Sequence, residues 1–297
     1  MKCAPLIVLA ILAPPLISAG PPGTEYASEI QTARAQRVGR LTAADGWLTL
    51  IGLHFLQGRE NTVGSAPDNL IVLAGGPAHL GTVTLAADGK VTFSAALDSG
   101  AQVDGRAAVA VELKLEGDGK PTLVTAGTFS FFVIERGARM ALRVKDSAAA
   151  RRTRFLGLDY FPIDPSWRIE AQWVPFDPPR DVPITNVIGN TSNEKVPGKA
   201  VFQRDGNTYE LLPIVEGPNE PLFFIISDAT SGRETCLAAR FLYADPPKAG
   251  KVILDFNKTV NPPCAFTPFA TCPLPPKENQ LTLAVAAGEK KYRGEHD

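Results

Sequence analysis

The sequence predicts a mostly β protein: an antiparallel β barrel or sandwich with a short N-terminal helix and a Pro-rich C-terminal loop. Three observations carry that expectation. Asp-Gly dipeptides recur at Asp88-Gly89, Asp104-Gly105, Asp118-Gly119 and Asp205-Gly206, and glycine supplies the positive φ that tight hairpin turns require. Between them lie short apolar runs, one of which alternates strictly: Val109, Val111, Leu113 and Leu115 against Ala110, Glu112 and Lys114, the period of a half-buried strand. After Asp45 no stretch keeps a helical period.

Residues 1–20 read as a secretory signal. Lys2 gives the positive start, Leu6 to Leu12 the short apolar run, and Ser18-Ala19-Gly20 the small residues for cleavage. The run is too short to span a bilayer, and no later stretch approaches a membrane span. The expectation is a secreted or periplasmic protein. Residues 24–41 then read as a helix, with Tyr26, Ile30, Ala33 and Leu41 near one face and Arg34 and Arg40 elsewhere.

From Trp47 the signals are strand and turn. Trp47 to Leu56 is apolar. Phe129 to Ile134 and Met140 to Val144 flank Arg136-Gly137 as a further hairpin. Trp167 to Val174, Asn207 to Leu212, Leu222 to Ser227, Glu234 to Tyr243 and Val252 to Asp255 complete the strands. Residues 175–199, rich in Pro, Asp and Asn, read as a long surface loop or an internal boundary in an otherwise single domain over 21–297.

With 297 residues the chain can bury a core without metals or disulfides. Lys+Arg is 30 against Asp+Glu 31. That balance gives no electrostatic reason for a nucleic-acid partner. There is no GxSxG, no HExxH, no phosphate-cradling glycine loop and no nucleotide fingerprint. Zinc knuckles need closely spaced cysteines with further ligands, and the chain holds only His54, His79 and His296. No cofactor and no metal are expected.

The polar residues concentrate near the C-terminus. Asp255, Asn257, Asn261, Asn279, Glu289 and Lys290 flank a loop stiffened by prolines, which loses little entropy on ordering. A strand is expected to run in and another to run out. With Arg143, Asp228 and Arg240 these residues form the candidate pocket of a small-ligand-binding domain. Asp255 and Glu289 would suffice for acid–base hydrolysis if their environments split their pKa values. The structural reading beside it is that Asp and Asn near turns bond their own backbone. The alternative function is a non-enzymatic envelope protein in which this segment is a disulfide-stapled plug.

Cys264 and Cys272 lie eight residues apart around Pro268, close enough to reach the Cα separation of about 5.5 Å that a disulfide needs. An exported chain would link them, leaving Cys236 as a buried thiol in mid-strand. A reactive thiolate pair is the other reading, which would need a cationic neighbour. Arg136, Arg139 and Arg143, with the run Arg151, Arg152 and Arg154, read as a solvated face, or as an anion site because Arg pairs bidentately with carboxylate and phosphate.

Several motifs together resemble an uncharacterised bacterial and archaeal family, domain of unknown function 1684. They are Ser227-Asp228-Ala229-Thr230-Ser231-Gly232, Arg240-Phe241-Leu242, Asp255-Phe256-Asn257, Asn261-Pro262-Pro263-Cys264, Cys272-Pro273-Leu274-Pro275-Pro276, Glu278-Asn279 and Ala287-Gly288-Glu289-Lys290. Weaker matches lie at Trp47-Leu48, Gly52-Leu53 and Arg143. The chain departs from that pattern at Cys236 and Ala238. The resemblance implies no activity.

Overall fold

The computed structural model describes residues 22–294 apart from 108, 109, 118, 216, 218 and 219. The signal segment with Cys3, the Val109 end of the alternating run, Asp118 and His296 lie outside the described residues. Helix α1 spans Pro22–Thr42. Its few apolar side chains bury Ile30 and Leu41, and polar side chains anchor the rest. The Tyr26 hydroxyl donates to Asp255 Oδ1 at 2.8 Å, and Arg152 Nε caps the far end on the Thr42 carbonyl at 2.7 Å.

The chain then turns to β structure. The first half supplies β1 (Leu50–Phe55), β2 (Glu60–Gly64), β3 (Ile71–Val72), β4 (Gly81–Leu85), β5 (Val91–Ala95), β6 (Gln102–Val103), β7 (Arg106–Ala107), β8 (Ala110–Glu112), β9 (Val124–Ala126), β10 (Phe129–Arg136) and β11 (Arg139–Asp146). They form one sheet in the order β3-β2-β4-β5-β8 and another in the order β1-β11-β10-β9-β6-β7. Only β2 and β3 run parallel; the other ladders are antiparallel. The two sheets share one core, where Val63, Val83 and Phe93 meet Val124, Phe131 and Val144. The turn chemistry is as the dipeptides required. At Asp104-Gly105 and Asp205-Gly206 both residues have positive φ (47° and 76°, 50° and 76°), the paired left-handed turn that matches the twist of a hairpin.

The second half holds the short helix α2 (Ala150–Thr153), then β12 (Arg168–Thr185), β13 (Thr191–Arg204), β14 (Asn207–Leu211), β15 (Leu222–Ile226), β16 (Arg240–Ala244) and β17 (Lys251–Asp255). The sheet order is β14-β13-β12-β17, with β15 and β16 paired separately. The chain is thus mostly β with antiparallel sheets, as expected.

Three local expectations are corrected. Residues 175–199 are not a loop: they are most of a long antiparallel ribbon of β12 and β13, its register broken only between Pro175 and Arg180. The prolines fit because β12 pairs with β17 only over Arg168–Gln172. Beyond that point no described strand pairs with its outer edge, which bonds only at Trp173 and again at its tip with residues 272–274, and a missing N–H costs little between those points. Ribbon residues Val182, Ile184 and Val196 pack on Phe223, Ile225 and Phe241. Second, the strand expected over Glu234–Tyr243 begins only at Arg240. Residues before it form a turn on Thr230, with Leu237 74% exposed and Cys236 half-buried rather than mid-strand.

Third, among the described residues no strand runs out toward the C-terminus. Leu281, Leu283, Val285 and Ala287 alternate into the core like a strand, but side chains replace much of the ladder. Arg240 Nη1 donates to the Val285 carbonyl at 2.9 Å and Nη2 to the Ala287 carbonyl. Asp228 Oδ1 accepts from the Val285 amide at 3.3 Å. Arg240 and Asp228 join each other at 2.7 Å, both side chains essentially inaccessible to solvent. Asn279 latches the segment elsewhere, accepting from the Leu212 amide and donating to the Leu212 and Ile225 carbonyls.

Candidate functional site

A cleft of about 970 Å³ opens between α1, the β10–β11 hairpin, the tip of the β12–β13 ribbon and the segment after β17. Its volume falls in the range of small-molecule sites. One wall is apolar: Ile184, Ile214, Phe223, Phe241 and Val260. Phe223 and Phe241 pack edge to face with centroids 4.8 Å apart, and Tyr243 stacks on Phe223 at 4.8 Å. The same lining is also charged, with Arg34, Arg37 and Arg40 from α1, Arg136 and Arg143 from the hairpin, and the carboxylates of Glu116, Glu135, Glu194 and Glu289.

The structure brings five sequence-selected residues to this cleft: Arg143, Asn257, Asn261, Cys272 and Glu289. Glu289 is buried. Its Oε1 accepts from Arg37 Nε at 3.0 Å and its Oε2 from the Asn261 amide at 2.7 Å. Burial pushes its carboxyl above the ordinary value, against the pull of Arg37 and that amide. Arg37 Nη2 reaches the Asn261 carbonyl at 2.8 Å. Gly288 allows this approach: its φ is 76°, and a Cβ there would meet the Thr259 carbonyl at 2.6 Å and that of Phe256 at 2.8 Å. Asn257 holds Tyr26 and the Asp164 carbonyl. The C-terminal polar residues are therefore first a cradle for α1 and second a wall of the cleft.

The other candidates do not line it. Asp228 and Arg240 lie in the buried pair beneath residues 281–287, and Asn279 is the latch beside it. Asp255 accepts from Tyr26 and from the Asn257 amide, which makes it a cap rather than an acid–base partner of Glu289. Lys290 sits with its ammonium 4.8 Å from the Phe161 ring centre.

Glu116 receives both hairpin arginines, Arg136 at 2.8 Å and Arg143 at 2.9 Å. Burial lowers the Arg143 pKa while Glu116 opposes that shift. Arg143 also lies over Trp47, 5.3 Å from the ring centre. Sequence reasoning missed Arg37, Arg40 and Glu116 as site residues, and read Arg136 with Arg139 and Arg143 as a solvated face or an anion site. For the helix a signal was present: Arg34, Arg37 and Arg40 recur every third residue, which sets them along one side of a helix.

The expected disulfide is corrected: Cys236, Cys264 and Cys272 are all free thiols. Proximity was read properly, since the Cys264 amide donates to Cys272 Sγ at 3.2 Å. Spacing decides only proximity, and bond formation is a redox event. The hydrogen bond to Cys272 and then burial push the Cys264 thiol up, and burial pushes Cys236 up. Thiols held protonated are poor nucleophiles. In the reduced native protein, iodoacetamide at pH 7.5 is expected to label Cys264 and Cys236 at least about tenfold more slowly than after unfolding. Native labelling as fast as in the unfolded chain would show instead an activated thiolate. Among the described residues no group of three or more His, Cys, Asp or Glu is placed to hold a metal ion. No described helix is long and apolar enough to cross a membrane.

Residues 153–290 match the family model described as Protein of unknown function (DUF1684). The match covers Asn257, Asn261, Cys272 and Glu289; α1 and the β10–β11 hairpin lie outside it. Among solved structures, an uncharacterized protein of Haloarcula marismortui, determined by solution NMR, is 29% identical over 48% of this chain and 81% of its own, with a TM-score of 0.41. Rad53 in complex with AMP-PNP aligns over 67% of this chain and 46% of its own at 11% identity and a TM-score of 0.16. No curated protein matches.

Proposed function

We propose that the protein binds a small amphipathic molecule in the cleft beneath α1. The observation that carries this reading is a lining that combines apolar side chains, Ile214, Phe223 and Phe241, with the guanidiniums of Arg37, Arg40 and Arg143. Binding sites commonly combine a mostly apolar lining with a few orienting polar groups. Binding rather than turnover is proposed, because Glu289 has both oxygens engaged and Asp255 is not among the lining residues.

A thermal-shift screen of amphipathic small molecules tests it. A ligand of the folded state is expected to raise the unfolding midpoint, and Ile214→Trp, which fills the apolar side, is expected to abolish that rise. A screen without any shift, or an unchanged shift in Ile214→Trp, would overturn the reading. The second reading, a non-enzymatic envelope protein with a packed C-terminal plug, is favoured by Asp228, Arg240 and Asn279, whose hydrogen bonds go largely to backbone. It predicts the screen without shifts. Export through residues 1–20 belongs to the same proposal. An N-terminus near residue 21 in protein recovered from a secreting host supports it, and retention of Met1 argues against it.

A further inference from the structure

We infer that the ligand of this cleft is an organic carboxylate, its head held at Arg40 and Arg143 and its apolar body lying against Phe223 and Phe241. The inference rests on the binding reading above and adds the chemical class. A second hollow of about 390 Å³ adjoins the cleft, and the two share Arg37, Arg40, Trp47, Glu116 and Arg143. These five residues form a neck where three guanidiniums and an indole face one carboxylate.

The charges at this neck do not balance. Arg37 is matched by Glu289 at 3.0 Å. Arg136 and Arg143 divide the single carboxylate of Glu116 between them. Arg40, exposed at the end of α1, makes no side-chain hydrogen bond or ion pair with the described residues. Over the whole cleft lining, six cations (Arg34, Arg37, Arg40, Arg136, Arg143 and Lys258) meet four carboxylates (Glu116, Glu135, Glu194 and Glu289), and Lys258 has a further partner in Glu29. Lys145 and Asp45, which line the second hollow, add one charge of each sign and leave the excess unchanged. The Arg143 side chain is only 5% exposed, and a buried cation with half a counter-charge is costly. An anion at the neck completes the pairing. The planar fork of arginine can take both oxygens of a carboxylate at once. The Phe223–Phe241 wall demands that this anion carry an apolar body, which excludes inorganic phosphate as the full ligand.

Isothermal titration calorimetry with three probes of equal chain length tests this: octanoate, 1-octanol and octylamine. Octanoate is expected to bind at least about tenfold more tightly than 1-octanol, and octylamine more weakly than either. Arg40→Gln, an exposed substitution with no partner to orphan, is expected to weaken octanoate about tenfold and leave 1-octanol unchanged. Equal or tighter binding of 1-octanol overturns the carboxylate inference and leaves the binding cleft standing. An Arg40→Gln protein that binds octanoate as the natural protein does overturns it too. Failure of all three probes, set beside a positive thermal-shift screen, also overturns it; failure in both experiments removes the cleft reading as well.

Discussion

Replacing Arg240 with leucine is expected to lower folding stability by about 3–5 kcal/mol, the cost of breaking a buried ion pair from one side. Arg240 is inaccessible to solvent, and its partner Asp228 is equally covered. Burial alone would pull the guanidinium pKa down; the Asp228 charge and hydrogen bond oppose it. The loss is not confined to the pair. The Val285 and Ala287 carbonyls would lose their donor, and residues 281–287 would lose what stands in for a neighbouring strand. An unpaired buried carbonyl costs about 1–3 kcal/mol by itself. Urea denaturation followed by circular dichroism reads the change as a lower midpoint at unchanged slope. The double substitution Asp228→Leu with Arg240→Leu should lose less than the sum of the single ones, because no lone charge is left buried. A single Arg240→Leu protein within about 1 kcal/mol of the natural one would mean that the C-terminal segment is held by its apolar side chains alone.

That pair also illustrates where sequence reasoning reaches its limit. Hairpins such as Asp104-Gly105 and Asp205-Gly206 were legible because their chemistry is local: two adjacent residues must take positive φ, and few residue types do so. Helix α1 was legible from its periodicity. The β12–β13 ribbon was not, because Pro178, Pro179 and Pro183 read as loop residues unless the strand edge they occupy is known to be unpaired. Arg240 and Asp228 were named as pocket residues, yet they serve backbone groups 45 and 57 residues away in sequence. Such partners are set by the tertiary fold and leave no spacing signal. The cleft was half legible. Glu289 and Asn261 stood out beside their turns, but their partner Arg37 lies more than 220 residues earlier, on a helix read only for its apolar face.

Glu289 couples that helix to the cleft, so its replacement should have a local signature that Arg240 lacks. Glu289→Ala removes the acceptor of both Arg37 Nε and the Asn261 amide. A hydrogen bond to a charged group contributes about 1.5–3 kcal/mol, so a fall of about 2–3 kcal/mol is expected. Amide hydrogen exchange should rise first in α1, whose middle loses its ionic anchor, while the shared core of the two N-terminal sheets stays protected. Glu289→Gln keeps the shape and one acceptor and should cost less. Its sharper readout is pH. Burial raises the Glu289 pKa in the folded protein. Above the ordinary glutamate value near ~4.3 the unfolded chain has released this proton while the folded chain still holds it. The folded state then binds more protons, so this group's contribution to stability falls as pH rises, from that ordinary value up through the raised folded one. Glu289→Gln carries no such proton and should lack that part of the slope. A stability–pH curve identical in the natural and Gln proteins over this window would mean that Arg37 and the Asn261 amide cancel the burial effect in full. Glu289 would then be an ionised anchor for α1 at every pH above the ordinary glutamate range.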